Sequence, residues 1–457
     1  MLGLLYNFLL SLLVLSQQPT VITLSLDYSV KDVYCLDIDV DGYKDIFFLQ
    51  SGEDGYDKVA TVYWGRPEDE GFFSKDEFTK YTLERPFSVL FFAEDKEKKR
   101  CSIVMCNSDG LNIYDFSNRE KNFVSSLSLH TVFPYDSKEP LILKGMAYEL
   151  NGDNISEWLI PTPIGIAIVE KGNVVNNIYV KTFHQIYVSN SLTLFYHFPI
   201  VYPLLKIEEI PKPVAIVGED EMVIARGNNW SEIKRYPLIK TSREKWDFGC
   251  KVGDVNGDGF PDVLVSETEG TINMRTSIKM YISESPYKYP ATPQFEYKIK
   301  GAMSLSIIKD VDGDKKDDLI LFNIPLGLTN FINFFLRKKI SVDALVFLFT
   351  ADAIPNQPAY TSSVTMDAPE GRDQVAYAVA DFSGDGVLDI AYGASENVIA
   401  INCGSKEAFL KTKPWLKLNL PSFGMIHSVD INENKCMDMI LYHPTGKYKN
   451  RADVIIF

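Results

Sequence analysis

Carboxylates recur in this chain at one spacing. Asp37, Asp39, Asp41 and Asp45 form the first group, and Asp254, Asn256, Asp258 and Asp262 the second. Asp310, Asp312, Asp314 and Asp318 follow, then Asp381, Ser383, Asp385 and Asp389, then Asp430, Asn432, Asn434 and Asp438. Numbered from its first carboxylate, each loop offers side-chain oxygens at positions 1, 3, 5 and 9. Position 7 would add a backbone carbonyl, from Tyr43, Phe260, Lys316, Val387 and Cys436 in turn. Five oxygens in an irregular loop suit a hard divalent cation, and calcium, which accepts six to eight oxygens, fits better than magnesium. A sixth loop, Glu149, Asn151, Asp153 and Glu157, keeps oxygen at every matching place and is open between metal and no metal.

Two other readings compete. An EF-hand begins the same way but needs a bidentate Glu at position 12 on a helix. Here position 12 is Phe48, Val265, Leu321, Tyr392 and Leu441, all apolar and inside strand-like runs. A metal-free Asx-rich turn accounts for one such loop as readily as a cation does. Five copies favour the cation. The loop at 430 has only two carboxylates and should bind more weakly. Gly42, Gly259 and Gly386 at position 6 allow a left-handed turn, whereas Lys315 and Lys435 predict a strained or differently shaped one.

The loops begin at 37, 149, 254, 310, 381 and 430, so the gaps are 112, 105, 56, 71 and 49. The first two are close to twice the third, which places silent units near 94 and 205. Eight units result, beginning near 37, 94, 149, 205, 254, 310, 381 and 430. Each places its loop between an apolar entering run and an exit strand such as "DIFFL" or "DVLV", followed by further short strand patterns. Units of this length are the size of four-stranded propeller blades. The chain is therefore expected to be all-β, with residues 18–457 forming a single propeller of eight blades, or seven if a silent unit is misread. The long gap after 310 predicts an insertion at about 325–365. The last unit is one strand short, and Val21–Leu26 is one strand spare, so the two should meet.

Bulk composition agrees. The net charge of −15 argues against nucleic acid and against a polybasic membrane patch. Five calcium ions would offset ten of those charges, making much of the acidity ligand and coupling folding to metal. The apolar run Leu2–Leu15 has the length of a secretory leader, giving residues 1–17 as a signal peptide and an extracellular or secretory destination. Membrane association would come only through an uncleaved leader or a partner. Six cysteines then predict some disulfides, with the pairing open. Asn154-Ile155-Ser156 and Asn229-Trp230-Ser231 are glycosylation sequons. His130, His184, His197, His427 and His443 form no recognisable catalytic set, and no nucleophile elbow, zinc-protease motif or phosphate loop occurs.

Phe248-Gly249 followed by the loop at 254 and the strand "DVLV", and the loop at 381 running on to "DIAYGAS", resemble the FG-GAP repeat of the integrin-α type, also called VCBS-like. Phe423-Gly424 likewise precedes the loop at 430. A single propeller of this kind is also similar to the T-cell immunomodulatory protein group, although that group carries a C-terminal membrane helix not found in this sequence. The resemblance implies a calcium-rigidified propeller with its metal loops on one face and partner binding through other blade loops. The expected function is a non-catalytic module recognising a protein or a glycan. A calcium-dependent polysaccharide lyase or a hydrolase on the same scaffold is the alternative, and a deep central funnel lined by clustered Asp, Glu, Arg, Lys or Tyr would favour it.

Overall fold

The computed structural model describes residues 18–181, 183–188, 192–218, 221–237, 247–269, 274–284, 286–325, 337–350, 353–367, 375–405, 409–411 and 413–457. The signal-peptide segment lies outside them. Eight antiparallel blades make up the fold. Blade 1 runs through Ser29–Leu36, Asp45–Ser51, Lys58–Tyr63 and Phe78–Thr82, and blade 2 through Val89–Asp95, Arg100–Asn107, Gly110–Asp115 and Asn122–Ser128. Blade 3 spans Ala147–Tyr179, blade 4 Ile200–Tyr236, blade 5 Asp247–Lys300, blade 6 Ala302–Asp367 and blade 7 Tyr377–Leu418. Blade 8 has Met425–Val429, Asp438–Tyr442 and Arg451–Ile456, and takes Thr20–Ser25 as its fourth strand. Blade 2 gains an extra strand, Leu141–Ile142, which pairs in parallel with Val89–Leu90.

First strands touch one another between blades 2 and 3, 4 and 5, 5 and 6, 7 and 8, and 8 and 1, so the first strands are the innermost. The second strands are wedged between blades. Asp45–Ser51, Glu157–Thr162 and Asp438–Tyr442 are buried along their whole length, which explains their unbroken apolar runs. In blade 1, Ile46 and Phe48 face blade 8 while Phe47 and Leu49 face blade 2. The apolar core is accordingly eight sheet-on-sheet interfaces, one for each pair of neighbours. Outer strands meet solvent: in Asn122–Ser128 nearly every residue is exposed.

Residues 339–347 and most of 360–367 lie within the stretch expected to be an insertion. They form the third and fourth strands of blade 6, so that part of 325–365 is blade. Residues 326–336 are outside the described set. Among the described residues no helix is long and apolar enough to cross a membrane.

The silent units are blades 2 and 4. In blade 2 the loop shrinks to a tight turn in which Asp95 accepts the Lys98 N–H at 3.0 Å. In blade 4 residues 204–213 bridge the same gap without ligands.

Ring closure follows the expected pairing, with Thr20 opposite Ile456 and Ser25 opposite Arg451. Thr23 Oγ donates to Asp453 Oδ1 at 2.6 Å, and Asp453 is fully buried against Arg451. Deleting residues 18–26 removes the buried Ile22 and Leu24 and exposes a strand edge. We expect a loss of at least about 3 kcal/mol from those two side chains, read by chemical denaturation, with self-association on size exclusion.

Candidate metal centres

Each acidic loop joins the innermost strand of its blade to the second, so the six lie on one rim. The position-9 carboxylates open the second strands and are fully buried: Asp45, Glu157, Asp262, Asp318, Asp389 and Asp438. One oxygen of each accepts the N–H of position 2, at 2.7 Å for Ile38, Val255 and Ile431, 2.8 Å for Leu150, 2.9 Å for Phe382 and 3.0 Å for Val311. In the five aspartates the other oxygen accepts an N–H just beyond the third strand, from Gly65, Ser283, Phe349, Gly404 and Phe457. This carboxylate ties three consecutive strands together whether or not an ion is bound. Burial pushes Asp45, Asp318 and Asp438 up to about 7, Asp262 to about 8 and Asp389 to about 6, against the amide bonds that pull them down.

Positions 1, 3 and 5 build the turn. Position 1 accepts the N–H of position 6, as Asp37 does from Gly42 at 3.0 Å and Asp381 from Gly386 at 2.8 Å. Position 5 accepts from position 7, as in Asp41 with Tyr43 at 2.9 Å, Asp258 with Phe260 at 2.8 Å and Asp314 with Lys316 at 2.9 Å. Asp385 and Asn434 do the same with Val387 and Cys436, at 2.9 and 2.7 Å. The loops are thus built as Asx-type turns. Lys315 and Lys435 keep the glycine shape, with φ of 73° and 74°, so these turns are strained and not reshaped. Position 4 is left-handed too, which sequence reasoning did not foresee: glycine fills it at 257, 313 and 384, but Val40 sits at φ 60°. A β-branched residue is costly there, and Val40→Gly should gain about 1 kcal/mol in chemical denaturation.

The turns leave oxygens over. Asp39 Oδ1, Asp254 Oδ1, Ser383 Oγ, Asp430 Oδ1 and Glu157 Oε1 are buried without a hydrogen-bond partner. All five are loop ligand positions, and they come from five of the six loops. A buried carboxylate oxygen without a donor is costly, and a cation on the rim would satisfy it. Ligand oxygens also converge within 4.8 Å at Asp37, Asp39 and Asp41, at Asp310, Asp312 and Asp318, and at Asp153, Glu157 and Glu170. These donor sets are all hard oxygen and fit calcium. Glu170 lies outside the repeat motif, in the strand Gly165–Glu170 that pairs with Glu157–Thr162, and nothing in the loop spacing pointed to it.

Two loops depart from the expected ligand set. Asn256 turns its amide nitrogen toward Asp258 Oδ2, at 3.1 Å, and toward the Ser283 carbonyl, at 2.9 Å. Asn432 and Asn434 both donate to the carbonyl of Phe457, at 3.3 and 2.7 Å, so the weak loop at 430 clamps the last described residue. Of the position-7 residues, Phe260, Val387 and Cys436 have buried side chains and Tyr43 is exposed. Neighbouring loops are also tied to one another. The N–H of Asp317 donates to the Asp254 carbonyl at 3.0 Å, that of Met437 to the Asp381 carbonyl at 2.7 Å, and Lys44 Nζ to the Asp430 carbonyl at 2.6 Å.

The expected disulfides are not formed. All six cysteines are free, and five are buried. Cys101 and Cys106 share one strand, and five residues of strand separate them by roughly 16 Å, beyond bridging distance. Burial pushes the Cys35, Cys101 and Cys106 thiols up, which makes them unreactive.

A polar group also lines the innermost strands. Lys144 Nζ lies 2.7 Å from His427 Nδ1 and 5.5 Å from the ring centre of Tyr34. Asp32, on the same strand as Tyr34, accepts the Ile142 N–H at 2.9 Å. Desolvation, aided by the Lys144 charge, holds His427 down to about 4, and burial lowers Lys144 as well. Topology brings His427 and Lys144 together across the ring closure, so their separation in sequence concealed the pair. A cleft of about 240 Å³ adjoins, lined by Tyr34, Phe92, Glu94, Tyr148 and Glu149 among others. The side chains of His184 and His197 lie outside the described residues.

No protein-family model matches the sequence, and no curated protein does. Among solved structures, BBS1N in complex with ARL6DN aligns over 95% of both chains with a TM-score of 0.42 and 9% identity. The Vibrio cholerae biofilm matrix protein Bap1 aligns over 95% of this chain and 88% of its own, with a TM-score of 0.35 and 10% identity. The WD40 domain of Toxoplasma gondii coronin aligns over 96% and 86%, with a TM-score of 0.37 and 8% identity. At this level of similarity none of them indicates what the present chain binds.

Proposed function

We propose that this chain is a calcium-stiffened FG-GAP-type propeller of the secretory pathway, and that it presents its loop surface to a protein or glycan partner without catalysing a reaction. The observation that carries the calcium reading is the set of buried, partnerless ligand oxygens, at positions 1, 3 or 9 of five loops on one rim. Cations there would stiffen the hairpins that hold the rest of the surface in place. Both sequon asparagines, Asn154 and Asn229, are exposed, as glycan attachment requires. Two measurements test this reading. Metal analysis of the purified chain should find about four or five calcium ions, in line with the number of matching loops. Expression in a secreting cell should yield glycosidase-sensitive protein in the medium. Metal-free protein in calcium buffer, or retention of the chain in the cytosol, would overturn it.

The group around Lys144 and His427 favours a second reading, an enzyme of the polysaccharide lyase or hydrolase class. A neutral imidazole beside an ammonium and a phenol is a base next to a charge-neutralising group. Lyase action on uronate-containing polysaccharides would appear as ultraviolet absorbance from the unsaturated product, abolished in Lys144→Ala and His427→Ala. The non-catalytic reading expects no such absorbance from the wild type.

A further inference from the structure

We propose that Arg119 is a built-in counter-cation of the loop at 37–45, and that a divalent ion enters this loop by displacing it. The inference rests on the calcium reading above and adds to it a residue that sets how readily one site fills. Arg119 belongs to blade 2, in the turn between Gly110–Asp115 and Asn122–Ser128, yet it reaches the acidic loop of blade 1. Its Nε donates to Asp39 Oδ2 at 2.6 Å, and a terminal nitrogen lies 3.3 Å from Asp41 Oδ2. The turn holds it there: Arg119 is at φ 58°, and its carbonyl accepts the Tyr81 hydroxyl at 2.6 Å. The guanidinium also lies 4.8 Å from the ring centre of Trp64.

The pairing is incomplete. The Asp39 side chain is only 6% exposed, and its Oδ1 remains buried without a partner. Asp37 has both oxygens turned to the amides of Asp41 and Gly42. One positive charge therefore faces three carboxylates and reaches two of them. A divalent ion brings twice the charge and can bind the oxygen that the guanidinium leaves over. An ion held by Asp39 and Asp41 would lie beside the guanidinium on the same two carboxylates, and the two positive charges repel, so ion and arginine compete.

Lysines meet two other loops in the same way. Lys206, from the bridge in blade 4, lies 2.6 Å from Asp254 Oδ2, and Lys171 lies 2.7 Å from Asp153 Oδ2. Among the described residues no ion pair is made to Asp381, Asp385 or Asp389. The rim thus has guarded loops and at least one open loop, which should fill at different calcium concentrations.

Trp64 reports on the guarded loop, and a Trp64→Phe chain subtracts the other tryptophans. Metal-free protein is titrated with calcium while fluorescence is followed, with ion stoichiometry measured in parallel. The wild type should show a Trp64 transition as the guanidinium leaves, at higher calcium than the first ions bind. In Arg119→Ala and Arg119→Gln the midpoint of calcium binding at loop 37–45, read by calorimetry, should fall about threefold to fivefold, fitting one removed partly exposed charge. Circular dichroism confirms that both variants fold. An unchanged midpoint in both variants would overturn the proposal. Calcium bound elsewhere with no Trp64 transition would also overturn it, while leaving the calcium reading intact. No calcium bound by any chain would remove both.

Discussion

Asp262→Ala should unfold about 3–5 kcal/mol more easily than the wild type, with or without calcium. Asp262 is fully buried and accepts two backbone amides, Val255 N–H at 2.7 Å and Ser283 N–H at 2.8 Å. Truncation orphans both donors at the buried start of the second strand of blade 5, at about 1–3 kcal/mol each, and leaves a void. Few domains have more than 15 kcal/mol to lose. Asp258→Ala supplies the contrast. Asp258 is exposed; it closes a local turn through the Phe260 N–H and accepts the Asn256 amide and the Ser283 hydroxyl on its other oxygen, bonds that water can replace. Without metal its loss should cost under about 1 kcal/mol, yet it should remove much of the calcium-dependent gain from that blade. Equal losses for the two variants in chelator would mean that Asp262 is no more than a metal ligand.

In chelator, the melting temperature should fall as pH rises from about 5 to 8, by on the order of 5–10 °C. The sign follows from the direction of the shifts. Burial raises Asp45, Asp318 and Asp438 to about 7 and Asp262 to about 8, from an ordinary 3.8. The folded chain therefore binds more protons than the unfolded chain between those limits. The stabilisation is full below pH 4 and is lost as pH climbs through 7. Calcium favours the charged form of neighbouring carboxylates, so adding it should flatten the profile and release protons as it binds. Calorimetry in two buffers of different ionisation enthalpy would count those protons. A melting temperature that rises with pH in chelator would show these carboxylates already ionised in the metal-free fold.

Much of this architecture was legible in the sequence because the repeat signals physics that each blade must satisfy. A second strand covered on both faces has to be apolar throughout, so "DIFFL" and "DMILY" marked the wedge positions directly. The spare strand Val21–Leu26 and the short final unit were complementary, and they pair. What escaped was long-range. Position 9 read as a ligand, since spacing says nothing of the two backbone amides, one from loop position 2 and one from beyond the third strand, that its oxygens meet. Arg119, Lys171 and Lys206 are ordinary surface residues until the ring sets them beside a loop. Glu170 and the Lys144–His427 pair depend in the same way on which strands become neighbours. The disulfide expectation followed from an inferred compartment, and strand geometry gave the thiols no partners.

The clasp between Thr23 and Asp453 joins residues 430 apart in sequence. During synthesis Thr20–Ser25 must wait for Arg451–Ile456, with its apolar face unsatisfied. The nascent ring stays open until Arg451–Ile456 has been made, and in that interval it is a curved stack with a vacant edge at one end. Folding yield should then depend on how well that waiting strand is shielded, and crowded expression should favour exchange of the strand between two copies over closure within one.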